Sequence, residues 1–519
     1  MSKKSFFRTL SVFVILLSFQ IAAFACTDIM VAKGASVDGS VITSQTCDGR
    51  YDSRLTVIPA ADHAEGEMVP IYEWGVYADR KELVKLGEIP QVPHTNQYFS
   101  IAYPFANEHQ LIIGETTLGG ARETTNSDAA IMTIEALSAL ALQRTDNARD
   151  AVLLMGELAV KYGYRTSCYL GECLTVSDPN EVWIFEVFGV GPLWSPEDGT
   201  PGAAWAAQRV PDNHVTCVPN FSRIHEINPE DTENFLVCEN YIDTAVELGL
   251  YDPDSGEEFY WNWTYGARKG KTNSRLWRAY SLLKPSVEWS WDNMDDYPFS
   301  IEPDEKVSVF DVINMFRDVM EGTPYSAEDN ENWYYENNNG EKVKSPLATP
   351  QAPSNWRNLI GVPYMRNIGV TQCSYYFVSQ ARSWLPNEIG GVCWFGIDNP
   401  QKGVFIPVYV SNTGLPESWV NVNRDVVDRS CSYWAFDLVD KLSNNKYQLL
   451  WPKVKEFRDE FHAPIFNGQD SVEAAALALY ELNPRLGVEY LTNYTNGLLL
   501  EAEKKYYDFS EVLLYSALD

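Results

Sequence analysis

The chain has 519 residues, 45% of them hydrophobic and 13% aromatic, which is ample material for a large core. Its 71 Asp and Glu against 40 Lys and Arg give a formal net charge of −31. Such a surface repels nucleic acid and anionic lipid, and with no basic patch anywhere in the sequence a nucleic-acid role is excluded.

The first element is a leader. Lys3, Lys4 and Arg8 precede an apolar stretch from Leu10 to Leu17, and Ala23-Phe24-Ala25 is a small-x-small cleavage site, so residues 1–25 read as a signal peptide and predict export to the periplasm or the medium. The apolar stretch falls short of the roughly 20 residues that span a bilayer, and no later segment qualifies, so no stable membrane anchor is expected. Removing the leader takes away three positive charges and leaves Cys26 as the first residue.

After Cys26 come short β-favouring runs separated by turn residues: "CTDIMVAKG", "SVITSQTCD", "LTVIPA", "FSIAYP" and "LIIGETT". From Asp128 to Gly163 the apolar period becomes helical, with a polar break at Thr145 to Asn147, which predicts two consecutive helices. "ECLTVSDPNEVWIFEVFGV" reads as a hairpin turning at Asp178-Pro179-Asn180, and "AAWAAQRVP" as a further strand. Helical segments follow near Asn273 to Leu283 and Val307 to Met320. Residues 328–345 and 350–356 are polar and loop-like. "GGVCWFGIDNPQKGVFIPVYVS" is a late hairpin, and the last hundred or so residues are mainly helical. With no repeat and no flexible linker, the expected organisation is one layered α+β catalytic domain over 26–519, of which roughly 421–519 is a helical extension.

Nine cysteines are an odd number, so in an oxidising compartment at least one stays free or pairs between chains, and Cys26 is the candidate. Cys168 and Cys173 are close enough for a local disulfide. Neither zinc-type cysteine spacing nor paired histidines occur, so no metal and no cofactor is expected.

An N-terminal cysteine has a specific chemistry. It carries a thiol and a free α-amino group on one residue, with reference pKa values of about 8.5 and about 7.7–8.0, so a nucleophile comes with its own base and no histidine is required. Two other readings of Cys26 stand beside this one. A lipid-attachment cysteine usually has Leu three residues before it and a small residue two before, where this chain has Ala23 and Phe24. An ordinary structural or disulfide cysteine is the other.

"CTDIMVAKGASVDGSVITSQTCD" (26–48), "NEHQLIIGETT" (107–117), "AAWAAQRVPDNHVTCVPNFSRIHEIN" (203–228), "NSRLWRAYSLLKPS" (273–286) and "LPNEIGGVCWFGIDNPQKGVFIPVY" (385–409) together resemble the secreted dipeptidases among the N-terminal nucleophile (Ntn) cysteine hydrolases. That group is similar in turn to choloylglycine hydrolases and penicillin V acylase. The resemblance implies a four-layer αββα sandwich, with additional helices towards the C-terminus, and amide hydrolysis through a thioester on Cys26. A dipeptide or other short peptide is the implied substrate. An acylase acting on N-acyl amino acids, bile salts or penicillin V, and a catalytically silent binding protein of the same fold, remain alternatives. A homo-oligomer stays open.

By the same resemblance Asp48 matches the acid that holds the α-amino group, Asn220 an oxyanion-binding amide, and Arg278 an active-site arginine near the nucleophile. Arg275 lies one helical turn before Arg278. Relatives often carry arginine where this chain has Gln45, so a positive charge near the thiol is missing there or supplied elsewhere, with Arg50 and Arg54 as substitutes. Near the second oxyanion position the chain offers Glu115, Thr116 and Thr117, of which the two threonines are weaker candidates.

Overall fold

The computed structural model describes residues 26–73 and 83–518; the leader reading, on residues 1–25, lies outside them. Polar, alternating and β-branched runs in the first half, with three strands from later in the chain, form two antiparallel sheets. Their strands are β1 (Asp28–Val31), β2 (Val41–Asp48), β3 (Thr56–Ile58), β4 (Tyr98–Ser100), β5 (Ala106–Asn107) and β6 (Ile112–Leu118). After helices α1 (Ile134–Arg144) and α2 (Ala148–Tyr162) come β7 (Gly171–Ser177), β8 (Val182–Phe188), β9 (Ala204–Arg209), β10 (Val215–Val218) and β11 (Phe235–Val237). The remainder holds α3 (Ser274–Leu283), α4 (Val309–Phe316), β12 (Cys373–Ala381), β13 (Val392–Ile397), β14 (Ile406–Tyr409), α5 (Ser432–Asn444), α6 (Tyr447–Leu482) and α7 (Pro484–Leu518).

One sheet runs β10-β1-β2-β12-β13-β14, the other β11-β9-β8-β7-β6-β5-β4-β3. They stack face to face, with β2 and β1 of the first sheet against β6 and β7 of the second. Helices α1 and α2 cover the outer face of the second sheet, α4 packs on β12 and β2, and α7 packs on β14, so the layers run helix, sheet, sheet, helix. This is the αββα arrangement, and sheets buried on both faces explain why every residue of β2, β6, β7, β8 and β12 is buried. Phe105 and Phe377 stack at 4.6 Å between ring centroids in the core.

The inter-sheet space near Cys26 is polar. Thr43 and Ser177 hydroxyls bond across it, and Thr175 Oγ1 donates to Asp28 Oδ2 at 2.7 Å. Gly114 permits this approach: a Cβ there would sit 2.6 Å from Asp28 Oδ2.

Local capping sets the helices as the sequence suggests. Thr133 and Asn147 accept the first free N–H groups of α1 and α2, and Gly163, with φ of 75°, ends α2. Three expectations need correction. Residues 328–345 are not a loop throughout but contain a hairpin, Tyr334–Glu336 with Lys342–Lys344, and the 350–356 stretch leads into the helix Ser354–Ile360. Trp333, Ala327, Ala348, Ala352 and Val362 give this polar segment a small apolar cluster of its own. Met68–Glu73 and Val84–Pro90 form a further hairpin that the β-favouring runs did not include. Cys168 and Cys173 form no disulfide: the Cys168 thiol lies against the Tyr51 and Tyr103 phenols, while Cys173 is buried within β7.

Candidate active site

Cys26 enters the fold immediately before β1, where Thr27 and Thr46 exchange backbone hydrogen bonds and so fix the thiol beside the end of β2. The residue is 1% exposed. Its Sγ lies 3.5 Å from Glu115 Oε2. A hydrogen bond to Cys47, burial and the nearby Glu115 carboxyl all push the thiol above its ordinary range. Cys47 itself is pushed up to about 11, chiefly by burial.

Asp48 ends β2 fully buried. Arg366 Nη2 donates to its Oδ2, which also accepts from Thr46 Oγ1 at 3.4 Å. The other oxygen, Oδ1, is buried without a hydrogen-bond partner. Burial raises this carboxyl, opposed by the charges of Arg366 and Arg275. Arg366, which sequence reasoning missed, keeps its proton firmly: burial works against it, and the Asp48 carboxylate outweighs burial.

Helix α3 begins at an N-cap, Asn273, whose side chain accepts from the Arg275 N–H at 3.0 Å and donates to Pro219 O at 2.9 Å. That double role locks the helix start onto the loop carrying Asn220. Arg275 then reaches inward. Its Nη1 donates to Cys26 O and to Thr27 Oγ1 at 2.8 Å, and its Nη2 to Pro219 O at 2.7 Å and Asn220 Oδ1 at 2.9 Å. Burial, then the charge of Arg366, lower it to about 9.

Arg278, one turn later, does not meet Cys26. It forms a bidentate pair with Asp318, Nε to Oδ1 at 3.0 Å and Nη2 to Oδ2 at 2.7 Å. The arginine that touches the Cys26 backbone is therefore Arg275.

Asn220 sits at φ of 57°, in the left-handed region that asparagine tolerates better than most residues. The conformation turns its N–H onto Thr116 Oγ1 at 3.0 Å and lets Nδ2 donate to Thr117 O at 2.7 Å. Thr116 and Thr117 thus hold Asn220 in place, and the Thr117 hydroxyl donates to Glu115 Oε1 at 3.1 Å. Gln45 Nε2 donates to Glu115 O at 2.8 Å and approaches Oε2 at 3.4 Å. Arg50 lies 4.0 Å from Asp425 and Arg54 pairs with Asp52, both on exposed surface, so the positive charges at the site come from Arg275 and Arg366 instead.

Glu115 rises to about 7, mainly through burial. Among the described residues no group of three or more His, Cys, Asp and Glu could hold a metal ion, and no helix is long and apolar enough to cross a membrane. The described site is thus a thiol, two arginines, an asparagine and buried carboxyls, a set suited to acyl transfer.

Two curated relatives align over most of their length. "Probable dipeptidase" of Latilactobacillus sakei is 24% identical over 445 residues, covering 82% of each chain, and "Dipeptidase A" of Lactobacillus helveticus is 23% identical over 441 residues, covering 82% of this chain and 83% of that one. A solved structure of penicillin V acylase from Agrobacterium tumefaciens aligns at a TM-score of 0.20 and 13% identity, over 34% of this chain and 48% of that one. The profile of peptidase family C69 matches residues 25–460, most of the chain, and the protein therefore belongs to peptidase family C69 and is a hydrolase.

Proposed function

We propose that this hydrolase is an exported cysteine dipeptidase whose nucleophile is Cys26 Sγ and whose general base is the α-amino group of the same residue, freed when the bond after Ala25 is cut. The observation that carries the reading is the single guanidinium of Arg275, which ties the Cys26 carbonyl to the Asn220 side chain. A nucleophile and an amide donor held by one rigid fork are positioned relative to each other, which is where acyl-transfer sites gain most of their rate.

In the forward step the amine takes the thiol proton and Sγ attacks the scissile carbonyl carbon. The resulting oxyanion is met by donors on the Asn220 side, each worth about 2.7–4 kcal/mol in comparable sites. When the tetrahedral intermediate collapses, the C–N bond breaks and the α-ammonium returns its proton to the departing amine, leaving a thioester on Cys26. Water, deprotonated by the α-amine, then attacks the thioester, releasing the acid product and restoring the thiol. Asp48 supports this cycle with its free Oδ1, a buried acceptor suited to the α-ammonium form, while Arg366 fixes the other oxygen.

The test compares two proteins with N-termini verified by mass: one starting at Cys26 and one retaining a methionine before it. The retained residue turns the amine into an amide nitrogen without basicity. Hydrolysis of a dipeptide panel, run beside N-acyl amino acid, bile-salt and penicillin V amides, is expected from the first protein on dipeptides and absent from the second. Equal turnover by both would remove Cys26 from the role, and turnover of the acyl amides alone would make the enzyme an acylase.

A further inference from the structure

Glu172 lies on β7 directly opposite Thr117, so its side chain shares a face with those of Thr117 and Glu115 on β6. It is 0% exposed, and its carboxyl has no N–H or hydroxyl donor and meets only the carboxyl of Glu115 among the described residues. The group against it is another acceptor, the carboxyl of Glu115. No ion pair joins either carboxyl to a cation among the described residues: Arg275 is spent on backbone and Asn220, Arg366 on Asp48, and Gln45 offers Glu115 only a neutral amide. Two adjoining buried carboxyls cannot both ionise cheaply without a counter-charge, so such a couple beside a nucleophile requires a reason.

We infer that Glu115 and Glu172 form the recognition site for the substrate's α-ammonium group, making the enzyme selective for dipeptides with a free N-terminus; this rests on the dipeptidase reading. In a dipeptide the ammonium nitrogen is separated from the scissile carbonyl carbon by one Cα. Its receptor must therefore adjoin the attacking atom, as Glu115 does at 3.5 Å from Cys26 Sγ. An ammonium has three donors and no acceptor, which suits two carboxyls set side by side. The phenol rings of Tyr51 and Tyr103, 5.5 Å apart between centroids, lie close enough to feel the Glu115 charge. Cys168, which is partly exposed and touches both phenols, marks the side nearer solvent. Burial holds both carboxyls above the ordinary range, so an arriving ammonium supplies the positive charge that a proton otherwise provides.

The experiment uses the Cys26→Ala protein, which binds without turnover, and titrates it by calorimetry with L-alanyl-L-alanine and with N-acetyl-L-alanyl-L-alanine at pH 7. The free-amine peptide is expected to bind about tenfold or more tightly, the equivalent of one charge-assisted hydrogen bond. Adding Glu172→Gln should erase that difference, and Glu172→Gln alone should raise KM for alanyl-alanine by a similar factor. Glutamine keeps the shape and a donor towards Glu115, so Glu172→Gln is not expected to unfold the chain, and a circular dichroism melt checks this. Equal binding of the two peptides to Cys26→Ala, or a preference that survives Glu172→Gln, overturns the inference. Failure of the wild-type enzyme to cleave any dipeptide, with the binding preference intact, would overturn the dipeptidase reading alone.

Discussion

Arg275 and Arg278 are three positions apart in one helix and have different partners. Arg275→Ala should remove the fork between Cys26 and Asn220 and lower kcat/KM at least about a hundredfold, in line with the loss of one oxyanion-positioning contact. Arg275→Lys should not restore it, because a single ammonium cannot serve four acceptors in two directions. Arg278→Ala is expected to leave Asp318 without its partner in a largely buried setting. It should lower stability by on the order of 3 kcal/mol while the specific activity of the folded fraction holds. Urea titration and steady-state kinetics on both variants separate the two roles. The sequence shows both arginines on one helix face, but nothing in its periodicity says which one points at the sheet and which at Asp318. Arg366 was less legible still, since "PYMRNIGV" has no period and its partner is hundreds of residues away. Glu172 read as an ordinary strand position, because alternation reports burial and says nothing of what a buried carboxyl faces.

Glu115 also sets a pH dependence. Its folded value of about 7 lies above the usual carboxylic range, so between about pH 4.5 and 7 the folded chain keeps a proton that the unfolded chain has released. The stability contribution is complete below the unfolded value and is lost as pH rises through 7. Glu135 on α1 acts in the same sense, while Glu172, Thr117 and Cys26 hydrogen-bond the ionised form. Glu115→Gln should therefore flatten part of the fall in urea midpoint between pH 5 and pH 8, and the double replacement with Glu172→Gln should flatten more. An unchanged slope would mean that neither carboxyl is protonated in the native state.

At the scale of elements, the site depends on how closely β6 approaches β1. Gly114→Ala would drive a methyl group into Asp28 and Thr175, and because both belong to packed strands, neither can retreat without moving a sheet. A loss of about 1–3 kcal/mol is expected, read as a lower melting temperature, with activity falling further than stability because Glu115 and Thr116 are the next residues on the strand. The strands and the two capped helices were legible because alternation, helical period and turn residues agreed there. The 328–345 segment was not, because its hairpin is stabilised by one tryptophan and a few alanines within a polar composition.

For the molecule as a whole, the sandwich collects Cys26, Asp48, Glu115, Asn220, Arg275 and Arg366 from six separate stretches of chain. The order of layers was implied by the resemblance of five motifs and not by periodicity, which cannot choose a topology. Thiol alkylation should stop hydrolysis while a chelator leaves it intact; restoration of a chelator-inactivated enzyme by zinc would point to different chemistry. Alkylation should also be slow in the native state and fast in urea, since the thiol is almost fully covered and held protonated.

The residue that opens the first strand is enclosed by its neighbours, with the Thr27 and Thr46 backbones already paired beyond it. A processing enzyme cutting immediately before such a residue would have to reach a bond whose carboxyl side is packed between two sheets. If the proposed cut after Ala25 is made, maturation and folding therefore compete in time. A chain that folds before its leader is removed should be locked as a precursor, and one trimmed during translocation should be competent as soon as its sheets close. Pulse-labelling, with trimming halted for a fixed interval and then released, would show this as a fraction of precursor that never matures and that grows with the length of the delay.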